Sequence, residues 1–248
     1  MVTGVRSRSI SQVAFSNIVG IIKSFSTNIR NGGDKLHSLA PKFAENLEVY
    51  MKHLHFTPWI GKHYSTTGYA GKRILALGES HYCEKSSDAT EDITRKVIAD
   101  LFDPHSEHEA YKNTYTKFAE ALLGRDCLSF EDKERFWNSI AFYNYVQVPM
   151  VGARVAPSQT DFKYSEAAFF EVLESLRPDI VIVWGSRLYN NLPQGGLQGD
   201  DLRAPDGHWV ETWRYFLSDR KEVKVVPIMH PSSSFSPDYW HQFLSTII

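Results

Sequence analysis

Hydrophobic and polar positions along the chain follow two alternating patterns. Short, continuous apolar runs predict buried strands, and longer segments with apolar residues three and four positions apart predict amphipathic helices. Strands are predicted from residue 74 and at 140–148, 179–184 and 223–229, with a short one at 209–216, and helices at 40–54, 88–101, 111–123, 130–137 and 165–176. This alternation predicts an α/β protein, a three-layer α/β/α sandwich with a mostly parallel central sheet.

The first 39 residues precede this alternation. Up to residue 33 they contain four basic residues, several serines and no acid, which is typical of an organellar transit peptide. The same segment is also read as an amphipathic helix, from about Ser11 to Phe25, that packs on the rest of the protein. We expect a helical lead segment, 1–39, and one domain, 40–248, in a cytoplasmic protein, with organellar targeting as the alternative.

Composition narrows the function only slightly. A net charge of -2 shows no overall excess of base, so attraction to a phosphate backbone would need a local patch. The two cysteines, Cys83 and Cys127, are too few for a zinc ribbon or an iron-sulfur cluster, and no apolar run approaches the roughly 18 residues that span a bilayer. We expect a monomer with no metal, no cofactor and no membrane partner.

Candidate chemistry is concentrated where two predicted strands end. The segment RILALGESHYC, residues 73–83, is an apolar strand that ends at Gly78 and is followed by a carboxylate, a hydroxyl, an imidazole and a phenol. A second apolar strand leads into His230, Pro231 and three serines. Open α/β sheets bind ligands at the carboxyl ends of their strands, so the two loops are predicted to share one cleft.

Four strand ends carry polar or special residues in this order: Gly78-Glu79-Ser80-His81-Tyr82, Tyr143-Asn144, Trp184-Gly185-Ser186 and His230-Pro231-Ser232. The chain here resembles the uracil-DNA glycosylase superfamily, over roughly residues 56 to 248. That superfamily has a GQDPYH or GEAPG loop, an Asn that ends an apolar strand, a WGS turn and an HPS loop. The resemblance implies a uracil-DNA glycosylase-like fold, a flipped-out base in DNA as substrate, and a role in DNA repair or antiviral defence.

The resemblance also implies catalytic residues. Glu79 matches the Glu of GEAPG and would lie near the sugar and the attacking water, and Ser80 occupies the Asp position of GQDPYH. His230 would bind the departing base. Because the Asp is replaced, a modified base is an alternative substrate to ordinary uracil.

Substrate-binding residues are implied in the same way. Base contacts are assigned to Tyr82, which would stand against C5, and to Asn144; His81 is assigned to the base or to a structural hydrogen bond. Phosphate contacts are assigned to the loop residues Gly185, Ser186, Ser232 and Ser233. Phe235 is the predicted wedge that takes the place of the extruded base.

Two other functions remain open. The order Ser80, then Asp179 or Asp206, then His230 is that of an α/β-hydrolase triad, which predicts an acyl hydrolase. A catalytically silent DNA-binding module of glycosylase-like fold is the other alternative. Four arginines, which would form a phosphate-facing patch or belong to a solvated surface, are Arg154, Arg187, Arg203 and Arg214.

Overall fold

The computed structural model describes residues 53–152 and 155–248. The chain divides into two compact units, and the elements given below belong to the larger one, Met51–Leu217 with Lys221–Ile248. The lead segment predicted at 1–39 lies outside the described residues, as does all but the last two positions of the helix predicted at 40–54.

A large mixed sheet forms the centre of the protein. The described strands are β1 (Trp59–Ile60), β2 (Ile74–Gly78), β3 (Tyr82–Cys83), β4 (Ala141–Asn144), β5 (Met150–Val151), β6 (Ile180–Trp184), β7 (Leu197–Gln198), β8 (Leu202–Arg203), β9 (Trp209–Val210), β10 (Trp213–Phe216) and β11 (Glu222–Ile228). Seven strands form the main sheet in the order β1-β4-β2-β6-β11-β10-β7. Its four central strands, β4, β2, β6 and β11, run parallel, and the outer three pair antiparallel. The predicted mostly parallel sheet is therefore confirmed.

Helices connect these strands. The described helices are α1 (Ile93–Asp100), α2 (Lys112–Leu123), α3 (Phe130–Trp137), α4 (Gln159–Tyr164), α5 (Glu166–Leu176), α6 (Ser186–Asn190) and α7 (Pro237–Leu244), with a 3-10 helix at Ser86–Asp88. None of the described helices is long and apolar enough to cross a membrane.

Two hydrophobic layers enclose the sheet. On one face, buried residues of the sheet pack with α2, α3 and α7 in a single cluster that includes Phe118 and Trp184, whose ring centroids are 4.9 Å apart. On the other face, Phe169 of α5 contacts Tyr145 and Tyr215, with ring centroids 5.4 and 5.6 Å apart. Because β2 and β6 are buried throughout, their sequences are continuous apolar runs. The arrangement is compatible with an α/β sandwich.

The predicted helix starts agree with the structure at α3 and differ from it at α1. The bounds of α3 match the prediction, because Ser129 caps it: the Ser129 hydroxyl accepts a hydrogen bond from the Asp132 N–H at 3.1 Å. The predicted start at Asp88 is wrong. The Asp88 carboxylate instead accepts from the Lys85 N–H at 3.1 Å in the 3-10 helix, and α1 begins only at Ile93. The helix predicted at 88–101 therefore begins later than expected.

The carboxyl ends of β2 and β4, where the candidate site lies, approach each other closely. Gly78 is paired with Asn144 in parallel register. A Cβ at position 78 would lie 2.1 Å from Asn144 Oδ1 and 3.0 Å from Phe142 Cζ. Only glycine leaves room for the Asn144 side chain at this point.

We therefore expect Gly78→Ala to destabilise the protein by about 1 to 3 kcal/mol, the usual cost of overpacking. The free energy of unfolding, measured by urea denaturation, checks this. Gly195→Ala is the matched control, because a Cβ there makes only an ordinary contact, 3.5 Å from Phe170. Equal effects of the two substitutions would contradict the proposed packing of Asn144 on Gly78.

Candidate functional site

Four loops meet at one edge of the parallel sheet. Because β4, β2, β6 and β11 run in the same direction, the residues that end them, Gly78, Asn144, Trp184 and Ile228, lie at the same edge. The chain leaves β2 towards β4 on one side and leaves β6 towards β11 on the other, so the sheet has its topological switch point between β2 and β6. Ligands of open α/β sheets bind at such a point.

An ion pair spans this switch point. Glu79 follows β2, and Arg187 lies in α6 directly after β6. The Arg187 Nε donates to Glu79 Oε1 at 2.7 Å, and a second guanidinium nitrogen donates to Oε2, so the contact is bidentate. The carboxylate is buried, whereas the guanidinium is half exposed. This pairing through hydrogen bonds raises the pKa of Arg187 above its usual value.

His230 lies in the loop after β11. It packs against Trp184 and Gly185, at the end of β6. Its ring is 6.0 Å from that of Trp184, and a Cβ on Gly185 would lie 3.4 Å from His230 Cβ. The Ser232 N–H donates to His230 Nδ1 at 3.2 Å, and the Ser232 hydroxyl lies 2.8 Å from the same nitrogen. Since Nδ1 is an acceptor, the neutral ring carries its proton on Nε2.

Both members of the ion pair affect the pKa of His230. Burial lowers the pKa of His230, the Glu79 carboxylate opposes this shift, and the Arg187 guanidinium reinforces it. The lowered pKa keeps the imidazole neutral at pH 7. Glu79, Arg187 and His230 therefore form one charged cluster at the edge of the sheet.

Asn144 and His81 form a buried pair beside this cluster. The Asn144 amide nitrogen lies 3.2 Å from both His81 ring nitrogens, and His81 Nε2 lies 2.8 Å from the Thr94 hydroxyl of α1. Burial lowers the pKa of His81 to about 4. Both residues are engaged within the protein and shape the loop; a direct role of His81 on the base is not supported by its position.

Ser80 and Tyr82 complete the first loop. The Ser80 hydroxyl is buried and has no hydrogen-bond partner among the described residues. Tyr82 is 50% exposed, and its phenol adds a smaller contribution to the raised pKa of Arg187. Of the side chains predicted to contact a base, Tyr82 is therefore the one that solvent reaches.

Two of the serines predicted to bind phosphate, Ser232 and Ser233, are used inside their own loop. The Ser232 hydroxyl and N–H both contact His230 Nδ1, and the Ser233 hydroxyl and N–H both donate to the His230 carbonyl oxygen, at 2.6 and 3.0 Å. Gly185, at φ +94°, forms the turn before α6, and Ser186 is exposed at the start of that helix. Ser232 and Ser233 thus orient His230.

The predicted wedge is corrected by the structure. Phe235 is buried, 6% exposed, and its ring stacks on that of Trp240 with centroids 5.9 Å apart. Trp240 belongs to α7, a helix that the sequence patterns did not predict. Because Phe235 belongs to the hydrophobic core, it is not available to enter a base stack.

The predicted arginine patch is not assembled from its three described members, which have separate partners. Arg203 lies over the ring of Trp209 at 5.5 Å, and Arg214 pairs with Glu222 at 3.7 Å. Arg154 lies outside the described residues. Of the four arginines, Arg187 is the one that the structure places in the charged cluster.

The hydrolase triad is not formed either. Asp179 precedes β6 and bonds Lys221 and the Arg73 N–H, at the opposite end of the strand from the site. Asp206 accepts from the His208 N–H at 3.2 Å. His230 Nδ1, where a triad acid would bind, is occupied by Ser232.

A cavity in the described part of the chain lies apart from the predicted site residues. A cavity of about 380 Å³ lies between α6 and β10 and is lined by Tyr189, Gln194 and Trp213, among others. It contains none of the predicted site residues. Over residues 53–152 and 155–248, no group of three His, Cys, Asp or Glu side chains is placed to hold a metal ion.

Sequence reasoning placed Glu79 and His230 at this edge but missed the partner of Glu79. Arg187 was predicted only as part of a phosphate-facing patch or a solvated surface, and its position directly after the WGS turn is the signal for its place at this edge. Comparison with known proteins adds no relative: no protein-family model and no curated protein matches the chain. The function is therefore inferred from the side chains at this edge and from their motifs.

We predict opposite shifts of the His230 pKa in two variants. Glu79→Gln removes the charge that stabilises the imidazolium, so the pKa falls further; Arg187→Gln removes a repulsive charge, so the pKa rises. Titration of the His230 ring signals by NMR checks both. Glu222→Gln, at the amino end of β11, is the control and is expected to leave the pKa unchanged. Shifts of the same sign in the first two variants would contradict the cluster.

His81 should make stability depend on pH. Its pKa is near 4 when folded and about 6.5 when unfolded, so the unfolded state takes up the proton first and stability is lost as pH falls from about 6.5 to 4. The wild type should lose about 2 to 3 kcal/mol more than His81→Gln between pH 7 and pH 4.5, by urea denaturation at each pH. His208→Gln, whose side chain is 84% exposed, should lose as much as the wild type. Parallel losses in all three proteins would refute a buried, neutral His81.

Proposed function

We propose that the protein is a DNA glycosylase, which hydrolyses the N-glycosidic bond of a uracil-like or modified base that is flipped out of DNA and leaves an abasic site. The observation that carries the proposal is the cluster of Glu79 with a neutral His230 at the switch point of a parallel sheet. The four motifs that resemble the uracil-DNA glycosylase superfamily lie around it. A uracil-DNA glycosylase-like α/β/α sandwich is the fold we propose for the described part.

Breaking the bond between C1′ and the base nitrogen creates positive charge on the sugar and negative charge on the base. In the proposal, the Glu79 carboxylate stabilises the cationic sugar and orients the attacking water. The unpartnered Ser80 hydroxyl provides a second contact to this water. No metal is required for either step.

The departing base needs a hydrogen-bond donor. His230 supports this role because Ser232 occupies Nδ1 and the neutral ring therefore carries a proton on Nε2. A neutral donor stabilises the negative charge that develops on the base through a hydrogen bond, and it keeps its own proton. His230 thus acts by electrostatic stabilisation, with Ser232 as its positioning residue.

Base contacts are divided between exposed and buried residues. Tyr82 is exposed beside Arg187, so in the proposal its ring stands against the base. Asn144, held by His81 and packed on Gly78, positions the floor of the site. A binding energy of a few kcal/mol is needed to extrude the base, and the wedge that supplies part of it is a residue other than Phe235.

One observation favours a second function, that of a non-catalytic DNA-binding module. The Arg187 guanidinium neutralises Glu79, the only carboxylate assigned to the chemistry. If the pair persists when DNA binds, the protein recognises a base without removing it.

We predict alkali-labile abasic sites when the protein is incubated with end-labelled oligonucleotides, single-stranded and duplex, that carry uracil or modified pyrimidines. Glu79→Gln and His230→Ala should each reduce the rate about 100-fold or more, since each removes stabilisation of transition-state charge. The matched controls, Glu222→Gln and His208→Ala, lie outside the cluster and should keep the wild-type rate.

The absence of an abasic product from every substrate would remove the glycosylase proposal. Tight binding of the same oligonucleotides, with their base content unchanged, would then support the DNA-binding module.

A further inference from the structure

Arg187 and Glu79 differ sharply in how far solvent reaches them. The Arg187 side chain is 53% exposed, whereas that of Glu79 is 9% exposed. A ligand that approaches this edge therefore meets the guanidinium before the carboxylate. Tyr82, 50% exposed, lies on the same side.

The bidentate geometry of the Arg187 guanidinium also fits a phosphate. A guanidinium presents parallel N–H groups that fit the two oxygens of a carboxylate or of a phosphate equally well. In the structure one such pair is used on Glu79. An incoming phosphate that takes this Nε–Nη2 edge would compete with Glu79 for the same N–H groups.

Two of the other predicted phosphate donors at this edge, Ser232 and Ser233, are already engaged. The hydroxyls and N–H groups of Ser232 and Ser233 all bond within the His230 loop. Arg203 and Arg214 have partners away from the cluster, Trp209 and Glu222. Arg187 is thus the cation of the cluster that an anion from solvent can reach.

We infer that Arg187 binds a phosphodiester of the nucleic acid and that Glu79 competes with this phosphate, so that Glu79 is released for the reaction only when DNA is bound. The inference rests on the proposed function and makes Arg187 a phosphate-binding residue that controls when Glu79 is released. Glu79 stays paired without substrate, which avoids a buried, uncompensated carboxylate. When the phosphate takes the guanidinium, the carboxylate is left beside the sugar, where positive charge develops.

Competition has a specific consequence for binding. Replacing Glu79 by the isosteric, uncharged Gln removes the competitor, so phosphate binding by Arg187 should become stronger. A carboxylate that merely repels DNA would also weaken binding, but its effect would not depend on Arg187. The dependence of one substitution on the other therefore separates competition from simple repulsion.

The test is a double-mutant cycle with a fluorescein-labelled oligonucleotide that carries 2′-fluoro-2′-deoxyuridine, which resists cleavage. Dissociation constants are measured by fluorescence anisotropy for the wild type, Glu79→Gln, Arg187→Gln and the double variant. We expect Glu79→Gln to bind roughly tenfold tighter than the wild type, the value of one charge-assisted hydrogen bond. Glu79→Gln should have no effect when Arg187 is already Gln, and Arg187→Gln alone should bind more weakly.

Control variants distinguish the coupling between Glu79 and Arg187 from effects of misfolding or of a change in net charge. Glu222→Gln and Arg214→Gln alter another ion pair and should leave the dissociation constant unchanged. Arg187→Lys keeps the charge but loses the bidentate geometry, so Glu79→Gln should strengthen binding less in this background; it replaces Arg187→Gln if that variant does not fold, as judged by circular dichroism.

Three results would overturn the inference: an unchanged affinity in Glu79→Gln, an equal gain in both Arg187 backgrounds, or binding of inorganic phosphate by Arg187 without binding of the oligonucleotide. Each is distinguishable from failure of the proposed function. Abasic product without coupling between Glu79 and Arg187 refutes only the competition, and coupling without abasic product refutes only the glycosylase.

Discussion

Parallel pairing of four strands is the constraint on which the site depends. Since β4, β2, β6 and β11 run in the same direction, the residues that follow them must emerge at the same edge, although they are far apart in sequence. Glu79 and Arg187, separated by 108 positions, meet because β2 and β6 are neighbours in the sheet. The hydrophobic core below, with Trp184 touching His230, holds this edge in place.

The electrostatics of this edge depend on burial and on the ion pair between Glu79 and Arg187. Glu79 is buried and makes a bidentate contact with Arg187, and burial lowers the pKa of His230 despite its acidic neighbour. Together they provide a negative group and a neutral hydrogen-bond donor, the two kinds of group that N-glycosidic hydrolysis needs. The arrangement supports the glycosylase proposal and also explains how the carboxylate is held when no substrate is present.

Sequence patterns predicted the sheet well and the side-chain partners poorly, for physical reasons. Buried parallel strands such as β6 are continuous apolar runs, and Ser129 marks the start of α3 through a local capping hydrogen bond, so both are readable along the chain. The pairing of Glu79 with Arg187 depends on strand order, which periodicity does not encode. Phe235 was misassigned because its burial depends on α7, which packs against α2 from the far end of the sequence.

We propose that this edge receives an extruded base and a flanking phosphate. A crystal structure of Glu79→Gln, bound to an oligonucleotide with 2′-fluoro-2′-deoxyuridine, tests it most directly. We expect the base to lie between Tyr82 and His230, with a phosphate on Arg187. A base that stays stacked in the DNA, or DNA bound at another surface with Arg187 free of phosphate, would contradict it.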